Sequence, residues 1–387
     1  MRVYFGVCGL GLGHIGRCVP VAQRLREMGD EVLFSTYGDA CSYVEQKRLP
    51  LCKAPPINYA VRQDGGIDFR LTTANPGIFS IFIFLNQLSA ELGFMKEFNP
   101  DFVVSDSRIS SILAARLLGI PLLTLLNNYR IRIPRERRFL RLARIADGGI
   151  LTVVGMVWGM GEEIFIPDFP PPYTFSTYNL GVPHRRRSKI RLIGPILPVR
   201  PEDLPDRRVI RKGFGIDDEY LILAPISGPS REKKFFTDMI RRILRKLPEN
   251  YRIIMSLGLP NSREEPVKEG NMLVYNWLPN LFEVLKACDV VISRAGLGTI
   301  TQAICYGKPL VLIPTPSQTE QLSNAKSAEE LGVAKTIEQR SLNISSLISA
   351  LQETSMGSYR KRIHEVQKFT SKYDAIETMV KTIKKRQ

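Results

Sequence analysis

The sequence predicts an α/β protein built as two Rossmann-like domains, with parallel sheets facing each other across a cleft. Three observations predict it. Apolar runs of strand length alternate with amphipathic segments of helical period through both halves. The chain has 387 residues, about twice the length of a usual domain. Midway, IGPILPVRPEDLPD (193–206) carries four prolines and no helical period, which suits a linker.

In the first half, RVYFGV (2–7), EVLFST (31–36), DFVVSD (101–106) and PLLTLL (121–126) read as buried strands, with helices over about 16–28 and 109–118. In the second, the strands are LILAPIS (221–227), RIIMSL (252–257), MLVYNW (272–277), VVIS (290–293) and PLVLIP (309–314). Helices are expected near 231–247, 280–287, 296–306 and 319–331. The expected organisation is a first domain over 1–194, a linker over 195–206, a second domain over 207–355 and a helical segment over 356–387. That last segment either ends the chain in solvent or crosses back to brace the first domain.

The formal charge of +16, from 54 Lys and Arg against 38 Asp and Glu, favours anionic partners. Nucleic acid is not expected, because no basic motif interleaved with aromatics in the manner of a known module occurs. Six cysteines (Cys8, Cys18, Cys41, Cys52, Cys288 and Cys305) form no C-x-x-C pair and no cluster with His14, His184 or His364. This points to a reduced cytoplasmic setting with no metal and no cofactor. The chain opens directly into a strand pattern, and no apolar run approaches the ~18 residues of a membrane span. Contact with a membrane would be peripheral, on its inner face.

The first strand runs into VCGLGLGHIGRCVPVAQRL, where Gly11, Gly13 and Gly16 satisfy the G-x-G-x-x-G spacing of a dinucleotide site. Such a site wants an acidic residue at the end of the next strand to hold a ribose. EVLFST ends instead at Ser35 and Thr36, and Asp39 comes late. The glycines read better as a cleft floor that lets a substrate approach the backbone. His14 stands among them at the start of a helix, whose positive end works against a second positive charge. It is a candidate base or acceptor-orienting group, and its plainer reading is structural. Asp106, ending the VVSD strand, is the alternative base or an N-cap.

Three strand-to-helix turns of the second half are candidate ligand sites. Ser227-Gly228-Pro229-Ser230 leaves backbone N–H groups and hydroxyls open to an anion. Ser293-Arg294-Ala295-Gly296-Leu297-Gly298-Thr299 makes a plausible diphosphate cradle from helix N–H groups, the Thr299 hydroxyl and the Arg294 cation. The stretch from Pro314 to Ala325 starts a helix with Glu320 and Gln321, which together offer acceptors and donors to sugar hydroxyls. Singly, each is also an ordinary turn.

Together they carry a resemblance. SRAGLGTITQAICYGKPLVLIPTPSQTEQLSNA (293–325) resembles the donor-site signature of GT-B glycosyltransferases of the MurG type and their UDP-glycosyltransferase relatives, which carry a glycosyltransferase family 28 C-terminal domain. VCGLGLGHIGRCVPVAQRL resembles the Gly-rich, His-containing loop of the same enzymes, and the similarity is greatest to an uncharacterised archaeal branch. Residues 57–100 and 130–190 carry none of the family's motifs. The resemblance implies the GT-B fold and inverting, metal-independent transfer of a sugar from a nucleotide-diphosphate donor, a UDP-sugar such as a UDP-GlcNAc-like one, to an acceptor hydroxyl. It implies that Gly296, Thr299 and their neighbours Arg294 and Gly298 bind the diphosphate, beside the candidate turn at Ser227 and Gly228, and that Glu320 and Gln321 read the sugar, with Asn324 following at the family's spacing. Asn276 and Trp277 would bind or flank the base, although Trp277 also suits a core. Gln302 falls where many relatives place a ribose-binding glutamate; an amide clamps less strongly, which leaves the nucleotide open.

In such enzymes an apolar patch with basic neighbours engages the membrane that bears a lipid-linked acceptor. PGIFSIFIFL (76–85) and RIRIPRERRFLRLAR (130–144), with seven arginines against one glutamate, would suit that role. A core helix and a solvated face are the plainer readings. The partners implied are a nucleotide-sugar, a lipid or glycolipid acceptor and an anionic membrane surface. The alternatives are a UDP-sugar epimerase of the same architecture and a non-catalytic binding subunit.

Overall fold

The computed structural model describes residues 1–57, 77–129, 153–181, 184–228, 230–260, 262, 265–316 and 318–385. The first half forms a seven-stranded sheet of β1 (Arg2–Val7), β2 (Glu31–Thr36), β3 (Leu51–Lys53), β4 (Phe102–Asp106), β5 (Leu122–Leu125), β6 (Glu163–Ile166) and β7 (Ile190–Leu192). Its order is β3-β2-β1-β4-β5-β6-β7, and every pair is parallel. The second half forms another seven-stranded sheet from β8 (Tyr220–Pro225), β9 (Tyr251–Ser256), β10 (Val267–Glu269), β11 (Met272–Tyr275), β12 (Val290–Ser293), β13 (Leu310–Leu312) and β14 (Ala334–Thr336). Here the order is β10-β11-β9-β8-β12-β13-β14, parallel except for the antiparallel β10–β11 edge.

The helices of the first half are α1 (Gly13–Glu27), α2 (Asp39–Gln46), α3 (Gly77–Phe98), α4 (Ile109–Leu117) and the single turn α5 (Thr177–Leu180). Those of the second are α6 (Arg207–Gly213), α7 (Ser230–Leu244), α8 (Leu281–Ala287), α9 (Leu297–Cys305), α10 (Thr319–Glu330) and α11 (Ile344–Thr354), followed by α12 (Gly357–Thr370) and α13 (Ala375–Lys384). Helices cover both faces, so central strands are apolar throughout. Every residue of β4 and of β12 is buried.

Strand order reverses between β1 and β4 in one sheet and between β8 and β12 in the other. At such a point successive crossovers leave toward opposite sides, and the chain ends of the two central strands open into a crevice. Asp106 ends β4 and His14 opens the helix that follows β1, while the loops after β8 and β12 carry Ser227 and Gly296. The fold therefore puts its expected site residues where a doubly wound sheet has room for a ligand.

The loop after β6 leads toward the second half. Phe169 and Phe175 belong to the second core, the cluster that also holds Leu297 and Val366. The wholly buried Asp168 accepts backbone N–H bonds from Phe169 (2.8 Å), Phe175 (3.3 Å) and Ser176 (2.7 Å). Burial pushes its carboxyl up to about 6, with these donors opposing. After α12 packs Ile363 and Val366 into the second core, α13 returns to the first and buries Ala375, Met379, Val380 and Ile383 there. Arg24 of α1 binds Glu377 at 2.7 Å, and Lys384 binds Asp30 at 2.6 Å.

The apolar stretch 76–85 lies mostly at the start of α3, with Phe82 and Leu85 about half exposed, whereas Gln87, Glu91 and Met95 farther along are buried. The basic stretch 130–144 lies outside the described residues.

Candidate active site

β1 and β4 lie side by side with Val7 opposite Asp106, so the loop leaving β1 passes above the Asp106 carboxylate. The loop is tight. A Cβ at Gly9 would sit 1.9 Å from the Tyr37 carbonyl oxygen, and Gly11 has φ +73°, a left-handed backbone suited to glycine. Gly13 and Gly16 differ, because a Cβ at either would meet nothing within 4 Å. They leave open space beside His14.

Helix α1 begins at Gly13, earlier than the periodicity of its apolar residues suggests, so His14 is in its first turn. The ring Nδ1 lies 2.7 Å from Asp106 Oδ1, and the His14 side chain is 19% exposed while that of Asp106 is fully buried. A carboxylate accepts only, so Nδ1 donates to Asp106, and in the neutral ring Nε2 is the nitrogen that carries the lone pair.

Arg17, one turn along α1, donates from Nε to Asp106 Oδ2 and from Nη2 to Oδ1, each at 2.5 Å. Burial works to raise the Asp106 carboxyl, but Arg17 and then His14 hold it well below the usual carboxylate range. The N-cap position of α4 is held by Arg108, which corrects the expectation that Asp106 caps that helix. A carboxylate held ionised by an arginine and a histidine also gains little by taking up a proton.

Arg17 also donates through Nη1 to Asn127 Oδ1, just beyond β5. Asn127 Nδ2 in turn donates to Glu320 Oε1 of the second half at 3.0 Å. Glu320 is a first-turn residue of α10, half-buried, and burial pushes its carboxyl up while His14, Arg17 and Asn127 pull it down. The His14 loop and the Glu320 turn thus meet across the two sheets. Trp277 packs on Tyr43 of α2 with ring centroids 5.6 Å apart, which is a second contact between the halves.

After β12, Ala295 turns with φ +60° and Gly296 stands at the N-cap of α9 without a side-chain cap. The first intrahelical bond runs from Ile300 N to Gly296 O, so the N–H groups of residues 297–299 precede the ladder and concentrate positive potential. A Cβ at Gly296 or Gly298 meets nothing within 4 Å, and Thr299 is half-buried beside them. Across the switch point, Ser227 is exposed and Gly228, at φ +115°, also faces open space.

Other expected donor-site residues are engaged within the fold. Arg294 does not present its charge to the cradle: it is 4% exposed, bonds Thr315 Oγ1 and Gln339 Oε1 (2.6 Å) and covers the Phe236 ring at 4.1 Å. Gln321 Oε1 accepts from the Thr315 N–H at 2.8 Å, and buried Asn324 donates to Ala295 O at 3.2 Å, leaving its own Oδ1 without a hydrogen bond. Gln302 Nε2 donates to Ile196 O at 3.3 Å, and Asn276 Nδ2 to Ser262 Oγ at 3.0 Å.

Arg17 and Asn127 are absent from the sequence-based expectation. Arg17 lies three residues after His14, on the same helical face, inside an otherwise apolar segment. Asn127-Asn128 follows a buried strand directly, where polar side chains reach a ligand crevice. Both signals were readable.

Residues 225–379 match the glycosyltransferase family 28 C-terminal domain, and residues 1–144 match glycosyl transferase family 1. The chain is a GT-B glycosyltransferase. Among relatives of this glycosyltransferase, an uncharacterised glycosyltransferase of Methanosarcina acetivorans is 26% identical, covering all of this chain and 98% of its own length. The UDP-N-acetylglucosamine--N-acetylmuramyl-(pentapeptide) pyrophosphoryl-undecaprenol N-acetylglucosamine transferase of Desulforamulus reducens is 26% identical over 76% of each chain. Among solved structures, the calicheamicin glycosyltransferase CalG4 superposes with TM-score 0.68 at 15% identity, over all of this chain and 98% of its own. MurG of Acinetobacter baumannii gives 0.58 at 18%, over 99% of each. The Streptomyces glycosyltransferase SsfS6, solved with thymidine diphosphate, gives 0.65 at 16%, over all of this chain and 99% of its own. This glycosyltransferase contains no helix, among its described residues, long and apolar enough to cross a membrane.

Proposed function

We propose that this glycosyltransferase moves a sugar from a nucleoside-diphosphate donor, a UDP-sugar of the UDP-GlcNAc kind, to an acceptor hydroxyl, with inversion and without a metal ion. The observation that carries the reading is the His14–Asp106 pair at 2.7 Å, joined across the two sheets to the Glu320 turn. His14 Nε2 removes the acceptor proton as its oxygen attacks the anomeric carbon, and the bond from that carbon to the diphosphate oxygen breaks. Asp106 fixes the ring tautomer and offsets the positive charge that develops on it. The N–H groups at the start of α9, with Thr299 and the loop at Ser227 and Gly228, receive the departing diphosphate. That cradle is why no cation is needed. Glu320 holds the sugar, with Gln321 and Asn324 bracing its turn through the Thr315 N–H and Ala295 O, and Gln302, Asn276 and Trp277 are the candidates for the ribose and the base.

The acceptor in this reading is lipid-linked and reached from the inner face of a membrane. Supporting it are the undecaprenol-linked substrate in the name of the Desulforamulus relative and the exposed Phe82, Leu85, Val153 and Met156 of the first half. Thermal stabilisation by a panel of UDP- and dTDP-sugars tests the donor. Product analysis with donor alone separates transfer from epimerisation, and a protein stabilised by none of the panel has lost the reading. Failure to sediment with anionic liposomes at low salt would remove the lipid acceptor.

A further inference from the structure

We propose that Asn127 is a positioning residue that makes alignment of the base depend on the donor sugar. The proposal rests on the donor-site reading above and extends it to a residue that touches both halves. The chain of contacts is continuous: Glu320 accepts from Asn127, Asn127 accepts from Arg17, Arg17 grips Asp106, and Asp106 holds His14. The chemistry of each end fixes the orientation of the amide between them. Arg17 can only donate and a carboxylate only accepts, so the Asn127 oxygen must face Arg17 and its NH2 must face Glu320. An amide meets both demands at once. An aspartate would set a second negative charge against Glu320, and an alanine would break the line.

The arrangement has a directional consequence. Asn127 occupies one lone-pair direction of Glu320 Oε1 and so sets the plane of that carboxylate, leaving Oε2 to accept from a sugar hydroxyl. A sugar seated on Glu320 holds it against Asn127, which holds Arg17 on Asp106 and keeps the imidazole aimed. A nucleoside diphosphate lacks the sugar and does not load this line.

The test uses the full chain and its Asn127→Ala and Asn127→Asp variants, with UDP, dTDP and their glucose and N-acetylglucosamine esters as probes. Calorimetry reads the ratio of nucleotide-sugar to nucleoside-diphosphate affinity. The expected result is a ratio reduced about tenfold in Asn127→Ala, through the sugar-bearing ligand alone. Asn127→Asp, of the same shape, should lose at least as much at pH 8 and recover part of it at pH 5.5, where one of two facing carboxyls is protonated. The ring 15N signals of His14, assigned by comparison with His14→Ala, should change when the sugar nucleotide binds to wild type, and not when the diphosphate binds. Both variants should abolish that response.

An Asn127→Asp protein that behaves as wild type overturns the proposal, because a space-filling role is insensitive to this change. Equal loss of both ligand classes also overturns it, since that reports general damage between the halves. If neither diphosphate binds wild type, the donor-site reading fails and takes the proposal with it. If sugar nucleotides bind but leave His14 unmoved, the donor site stands and the coupling does not.

Discussion

His14 and Asp106 meet at 2.7 Å because β1, which leads into the helix of His14, and β4, which ends at Asp106, are neighbours at the point where the first sheet reverses direction. Ninety-two positions separate them in the chain. The contact sets the buried Asp106 carboxylate against one ring nitrogen of a partly exposed imidazole, an arrangement that supports the proposed role of His14 as base. His14→Ala is expected to lower turnover by about 10²- to 10⁴-fold while nucleotide affinity stays within about threefold. Asp106→Asn should also fall steeply, because an amide NH2 facing Nδ1 favours the wrong tautomer, and it should destabilise the fold by stranding Arg17. Steady-state kinetics alongside calorimetric nucleotide binding separate the two effects. Near-normal turnover in His14→Ala would remove the residue from the chemistry.

The start of α9 offers a prediction in which stability and binding move apart. Gly298 faces open space, so a side chain there costs no packing. An aspartate at that first-turn position interacts favourably with the helix dipole, by about 0.3–1 kcal/mol. The same charge repels a diphosphate. Gly298→Asp should therefore melt at or slightly above the wild-type temperature and bind UDP at least about tenfold more weakly. A variant that binds UDP normally would move the diphosphate away from this cradle.

Arg294 illustrates what sequence could and could not show. Its neighbours in Ser293–Thr299 were read correctly as a strand-to-helix turn, and its charge suggested a phosphate ligand. The direction of a side chain depends on what packs beneath it, and only the fold brings Phe236, Thr315 and Gln339 to that spot. Arg294→Ala should destabilise the protein by about 3 kcal/mol, through lost packing and stranded polar groups. UDP affinity of the folded protein should remain within about threefold. Denaturant unfolding and titration calorimetry give the two numbers, and a large loss of affinity at unchanged stability would restore Arg294 to the diphosphate.

The same contrast runs through the molecule. The long apolar strands were legible because a strand buried on both faces is a continuous hydrophobic run, as in β4 and β8. Short edge strands such as β3, β7, β10 and β14 have three residues each, too few for a period to register. Asp106 was visible as a candidate, but its contacts were not: nothing local in the sequence shows that Arg17 and His14 both bond its carboxylate. Asn127 lies at a strand end that the sequence marks, and its contact with Glu320 joins residues 193 positions apart. No local pattern encodes that distance.

Asp168 supplies a prediction with a definite sign. Its carboxyl is wholly buried in the segment that carries Phe169 and Phe175 into the second core, and burial raises it to about 6 from an ordinary 3.8. A raised folded-state value means that the protonated form suits the fold better. The contribution is fully present below about pH 3.8 and is lost as pH rises through 6, by about 3 kcal/mol in total. Asp168→Asn cannot ionise; it loses an acceptor for the Phe169, Phe175 and Ser176 N–H groups at every pH but lacks the pH-dependent loss. The stability advantage of wild type over Asp168→Asn should therefore shrink by most of that amount between pH 4.5 and 7.5, read by urea unfolding of both proteins. A gap that stays constant would show that Asp168 keeps one protonation state throughout, and a gap that widens would show that its three backbone donors outweigh burial.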